Sequence, residues 1–211
     1  MKGTQNSKKQ TLRLAQIAML IALIAVLQIL ATVFSKVVAL PVSITLTLVP
    51  IVVGAVLFGP WVGGILGLSF GAITLILGFT GFDLSTVASL EFNVPATIIL
   101  VLLKGTAAGV VAGAIAIPFK KKEKLYPAVF SAAILAPLTN TAIYLVGMMT
   151  VFRSQWAIEE DAAEVGGMFV LALIIIGLTL VNFIIELIIN VVLAPSAVRI
   201  IEAVKKSKLV Q

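Results

Sequence analysis

The sequence predicts an all-α integral membrane bundle, one membrane domain over residues 1–211, and three observations carry that expectation. Hydrophobic residues make up 61% of the chain and charged residues 11%, with a mean hydropathy of +1.20. Soluble domains hold roughly 45–50% apolar and about 25% charged residues. Six apolar segments follow one another, most of them near the roughly 20 residues that a helix needs to cross a bilayer. Finally, no charged residue occurs between Lys36 and Asp83. A soluble fold of this length could not hide so much apolar surface, whereas lipid can.

Taken in order, residues 1–11 are polar and basic and read as a short tail. The first span covers about 12–34 and is too long for a cleaved signal segment. The second and third, about 45–58 and 61–79, meet at Gly59-Pro60. Glycine tolerates left-handed backbone and proline suits a first helical turn, so the pair predicts a tight hairpin. Gly63, Gly67 and Gly71 then recur every fourth residue and make a smooth face for close helix packing. Gly105, Gly109 and Gly113 repeat that stripe in the fourth span, about 95–119, where packing again outweighs ligand binding as an explanation. The fifth span runs about 126–151 and the sixth about 168–192. Pro195 is expected to close the apolar region, leaving 193–211 as an amphipathic basic tail.

Every Lys and Arg except Lys36, Lys104 and Arg153 falls in the N-terminal tail and helix start, the 120–124 loop or the C-terminal tail. With six spans these three places share one side, the cytoplasm by the positive-inside rule. The other side then carries Asp83, Glu91 and the acids of 159–164. Two loops there are long enough to act as covers: Ser35–Thr45, with strand-like alternation around Pro41, and Leu77–Val94.

A few polar residues inside the spans could carry chemistry. Lys104 lies about ten residues into the fourth span, where a cation costs on the order of 2.5–3.5 kcal/mol, so it faces a cavity, a partner or an anion, or else snorkels. Asn182, Glu186 and Asn190 form an i, i+4, i+8 stripe on the sixth span. Asn182 is the better ligand candidate, and hydrogen bonding between helices explains Asn190. On the fifth span Pro137, Asn140 and Tyr144 share a face that reads as a pocket wall or as repair of a proline-freed carbonyl. Arg153 stands just beyond it and, with Lys104, could receive a small carboxylate. Asn93 is a ligand candidate or simply a helix N-cap. Ala15, Ala18 and Ala22 place small residues on one face of the first helix, flat enough for another protein.

The chain contains no cysteine and no histidine. That excludes disulfides, thiol or imidazole catalysis and most transition-metal sites. No Gly-x-Ser-x-Gly elbow and no Gly-x-x-x-x-Gly-Lys-[Ser/Thr] loop occurs, so no enzymatic activity, no cofactor and no intrinsic ATP hydrolysis are expected.

The hairpin LVPIVVGAVLFGPWVGGILGLSFG, the Ala18–Ala22 pattern, KGTAAGVVAG and APLTNTAIYLVGM together resemble the S components of energy-coupling factor (ECF) vitamin transporters. The resemblance covers nearly the whole chain, and the hairpin is its most specific part. It implies a six-helix plasma-membrane protein, bacterial in type, with both termini cytoplasmic. Such a protein binds a vitamin from outside and topples in the membrane to deliver it. Its implied partners are a transmembrane T component and two ATPase subunits, which alone use ATP. The T component would meet Ala15, Ala18 and Ala22, and Ser35–Thr45 would act as a gate. The Leu-Thr-Asn-Thr segment looks closest to pantothenate-type members, with Asn93, Lys104, Asn140, Tyr144, Arg153 and Asn182 as the substrate-binding set. The alternative from another class is a stand-alone, ion-coupled secondary transporter of a small metabolite.

Overall fold

Backbone amides have no water to bond in hydrocarbon, so a chain this apolar satisfies them within helices. The computed structural model describes residues 2–37, 46–150 and 166–206, and among these every regular element is helical. The helices are α1 (Lys2–Val37), α2 (Leu48–Phe58), α3 (Pro60–Phe79), α4 (Leu84–Phe92), α5 (Val94–Lys121), α6 (Leu125–Thr150) and α7 (Gly166–Lys206). Five of them, α1, α3, α5, α6 and α7, are long and apolar enough to cross a membrane.

The segment expected as a second span is shorter than that. Helix α2 has 11 residues, about 16 Å of rise against roughly 30 Å of hydrocarbon. Seven successive residues, Pro50 to Val56, are buried, and α2 touches α1, α3, α5, α6 and α7. A helix that is apolar all round belongs in a core. Helix α2 is accordingly the axle about which the longer helices pack.

The hairpin is built as its sequence requires. Gly59 adopts φ 95° and ψ 179°, and Pro60 opens α3. The carbonyls left over at the end of α2 attract cations. Lys120 Nζ donates to Val56 O at 2.7 Å and to Leu57 O at 3.3 Å, while the Arg13 guanidinium reaches Phe58 O at 3.5 Å and lies 5.7 Å from the Phe58 ring centroid.

The two glycine stripes turn out to be each other's partner. A Cβ on Gly63 would strike Gly109 O, one on Gly67 would strike Gly105 O, and one on Gly71 would sit 2.8 Å from Val101 O. Gly113 backs onto Pro60 in the same way. Helices α3 and α5 therefore run antiparallel with their backbones in contact, which fixes the register of α5.

Two expectations change. Helix α7 continues through Pro195 to Lys206, so residues 193–206 are helix and not a tail. Ala194, Ala197, Val198 and Ile201 are buried in a cluster with Ala128, Val129 and Ala132 of α6 and Val52 of α2. That burial offsets the roughly 3 kcal/mol that an interior proline costs. Similarly, α1 begins at Lys2, inside the expected tail.

The loop 77–94 contains helix α4. Asp83 caps it, its Oδ1 accepting from Thr86 N at 3.0 Å and from Ser85 Oγ at 2.9 Å. Thr97 Oγ1 donates to Ser89 O at 2.8 Å and ties α4 onto α5. Of the other expected cover, Ser35–Val37 extends α1, and 38–45 lies outside the described residues.

The bundle has two unlike ends. Arg13, the Gly59-Pro60 turn, Lys120 and the end of α7 gather at one. At the other, Lys36 donates to Gly81 O at 3.3 Å and stands 4.7 Å from the Phe82 ring centroid.

Candidate functional site

With α5 held against α3 by its glycines, the neighbouring position on the helix, Lys104, turns toward α6. Its ammonium lies 4.8 Å from the centroid of the Tyr144 ring. That is within cation–π range, worth about 0.5–2 kcal/mol. Leu100 and Met148 pack together one turn nearer the α4 end, with Ala96, Ile143 and Tyr144 around them. Lys104 thus sits beneath an apolar plug and against an aromatic face.

Two acidic residues, Asp83 and Glu186, lie within electrostatic range of Lys104. Asp83 also acts on Tyr144. Glu186 is 1% exposed and Asp83 3%. The loop acid Asp83, expected in an outer connector, is therefore part of the interior, brought there by its duty as the α4 cap. Residues of α5, α6, α7 and the α3–α4 joint are thus electrostatically linked through Lys104.

On α6 and α7 there are also buried acceptors that have no hydrogen-bond partner among the described residues. The side-chain oxygens of Asn140 and Asn182 are buried without a hydrogen-bond partner. An unbonded buried amide oxygen costs about 1–3 kcal/mol, so such atoms in a site point to a ligand or water that completes them. Asn190 differs. Its amide donates back to Glu186 O at 2.8 Å within α7 rather than across to a neighbour.

The other sequence candidates fall elsewhere. Asn93 is exposed and caps α5, its Oδ1 accepting from Ala96 N at 3.0 Å. Arg153 lies outside the described residues. Ala15, Ala18 and Ala22 are all exposed on α1, on the side turned away from Ile17, Leu20 and Ile24, which pack inward.

The sequence reading passed over a polar stripe on α1. Gln28, Thr32 and Ser35 stand at i, i+4 and i+7 and are buried, at 1%, 1% and 4% exposure. Thr47, ahead of α2, donates its hydroxyl to Gln28 Oε1 at 3.0 Å. The spacing was visible, but hydroxyls inside apolar helices are ordinary, and only burial singles these out. Beside the stripe, an apolar cleft of about 550 Å³ opens between Leu27, Leu30 and Phe34 of α1 and Ile189 of α7.

The family model described as "ECF transporter, substrate-specific component" matches residues 12–198. The chain belongs to that family. Neither a curated protein nor a solved structure matches it. An ECF substrate-specific component is a part of a transporter and not an enzyme, and such components partner with T and ATPase modules. Within this ECF component, the matched residues take in the glycine seam, the charged centre and the exposed alanine face together.

Proposed function

We propose that the chain is the high-affinity binding subunit for a small, anionic, water-soluble vitamin, with pantothenate the best fit. It crosses the plasma membrane of a bacterial cell six times, the 11-residue α2 supplying only the basic-end part of the second crossing, with the basic end and both termini cytoplasmic. Substrate enters from the α4 end. The bound vitamin is delivered inward when the T component and ATPase subunits of the ECF module hydrolyse ATP, and the chain itself uses no cofactor.

The observation that carries this reading is Lys104, a cation placed among the helices beside Tyr144, with Asn140 one turn from Tyr144 on α6 and Asn182 one turn from Glu186 on α7 each keeping an unbonded buried oxygen. A carboxylate meets the ammonium with a charge-assisted hydrogen bond. Pantothenate brings, besides its carboxylate, an amide N–H and two hydroxyls, donors suited to asparagine oxygens. Few aromatics line the interior, which disfavours a large flat ring. Arg153 belongs to the same proposal as a second cation for the carboxylate, and Asn93 as a rim contact.

Calorimetric titration of the purified protein with pantothenate tests it. Saturable one-to-one binding is expected, and absence of binding overturns the pantothenate assignment. The secondary-transporter alternative draws its support from the buried Glu186 near Lys104, a pair that could couple to a proton or another ion.

A further inference from the structure

Serine and threonine in membrane helices usually turn their hydroxyl back onto the carbonyl four residues earlier, because lipid offers no other acceptor. This chain follows the rule at Ser69, Thr74, Ser89, Thr106 and Thr150, with bonds of 2.7–3.0 Å. Thr32 and Ser35 break it. Both are more than nine-tenths buried, and neither hydroxyl has a hydrogen-bond partner among the described residues. A rotation about χ1 would give either one a carbonyl of its own helix. Both hydroxyls are instead buried and left unbonded.

Their place on α1 connects them with the charged centre. The next residue, Lys36, is fastened to Gly81 O and to the Phe82 ring. Asp83 follows in the same joint and acts on Lys104 and Tyr144 from the far side. On its other flank α1 borders α7, where Ile189 closes the apolar cleft beside Ala31 and Phe34. The α3–α4 joint is thus in contact with the end of α1 and within electrostatic range of Lys104 on α5. Gln28, lower on the stripe, has its Oε1 taken by Thr47, so Thr32 and Ser35 are the members left without a bond.

We infer that Thr32 and Ser35 form a second binding wall, which holds the hydroxyl- or amide-bearing end of a substrate whose anionic end rests on Lys104. The inference rests on the binding reading above and narrows it to a class of substrate: an elongated molecule with a carboxylate at one end and neutral hydrogen-bonding groups at the other. A hydroxyl both donates and accepts, so the two side chains suit a diol or an amide equally well. A substrate that is only a small anion leaves both of them unsatisfied.

The test is calorimetric titration of the full-length protein and its Thr32→Val, Ser35→Ala and Lys104→Ala variants with pantothenate, nicotinate and folate. Thr→Val keeps the shape and removes only the hydroxyl. Each hydroxyl variant is expected to bind pantothenate about 3- to 10-fold more weakly, and the double variant about 10- to 100-fold. Thermal unfolding without ligand guards against misfolding, and the same variants should melt at or above the temperature of the unaltered protein, since an unsatisfied buried group has been removed. If Lys104→Ala loses pantothenate while both hydroxyl variants keep full affinity, the second wall is overturned and the binding reading stands. Preference for nicotinate, which has no hydroxyl, overturns the second wall and the pantothenate assignment but leaves an anion site on Lys104. If none of the three binds the unaltered protein, the reading fails and the inference falls with it.

Discussion

Lys104 shows how one residue can be both expensive and useful. Moving its ammonium into the bundle costs a few kcal/mol, and the Tyr144 face returns only part of that. On the proposed reading a carboxylate ligand supplies the remainder. Replacing Lys104 by alanine is expected to weaken pantothenate binding by about 1.5–3 kcal/mol, the range for a hydrogen bond to a charged group, or roughly 10- to 150-fold by calorimetry. The ligand-free protein should unfold at no lower temperature, because a buried cation has gone. Unchanged affinity would return Lys104 to a merely structural position over Tyr144. Lys104 was legible in the sequence because a charge within an apolar run has no ordinary explanation. Thr32 and Ser35 were not, because hydroxyls in apolar helices normally bond their own backbone, and the exception appears only when neighbours and burial are known. Asp83 lies in the expected connector, but its burial was not legible, because it follows from the cap that Asp83 makes on α4.

At the scale of elements, the α3–α5 seam decides where the site is. Its glycines leave room for backbone against backbone, and any Cβ at Gly67 meets the Gly105 carbonyl, which cannot move aside as a side chain would. Gly67→Ala is expected to cost about 1–3 kcal/mol, read as a fall in the thermal midpoint of about 2–4 °C per kcal/mol. Gly177→Ala is the matched control, because nothing stands within 4 Å of its added Cβ. There the gain in helix propensity should leave the midpoint level or slightly raised. Equal effects at both positions would refute the seam. The spacing of the two glycine stripes announced close packing, yet only the fold pairs them with each other. Helix ends were harder to read. Pro195 has the local chemistry of a stop, and the core contacts that carry α7 past it come from residues sixty or more positions away. Helix α2 was taken for a span because its composition is that of one, and its shortness reflects a place at the centre that composition does not reveal.

At the scale of the molecule, the two ends and one flank divide the labour. The basic end gathers Arg13, Lys120 and Lys205, while the α4 end carries the joint that leads to Lys104. The flank is α1, whose Ala15, Ala18 and Ala22 are exposed although the opposite side of the same helix is packed into the core. Small residues facing lipid gain little there, whereas against another helix they permit close approach. An ECF substrate-specific component must meet its T module somewhere, and this face leaves the interior site undisturbed. Ala18→Trp and Ala22→Trp are therefore expected to abolish ATP-dependent pantothenate uptake by the assembled transporter while calorimetric affinity stays within twofold. Reconstituted alone in liposomes, the unaltered chain should bind pantothenate and move none of it, with or without an ion gradient. Uptake by the chain alone would favour the ion-coupled alternative, with Glu186 and Lys104 as its coupling pair. Persistent uptake in the two tryptophan variants would move the docking face off α1. Loss of binding in them would mean that α1 cannot shift without disturbing Thr32 and Ser35 about three to five turns above, so that docking and binding share one helix.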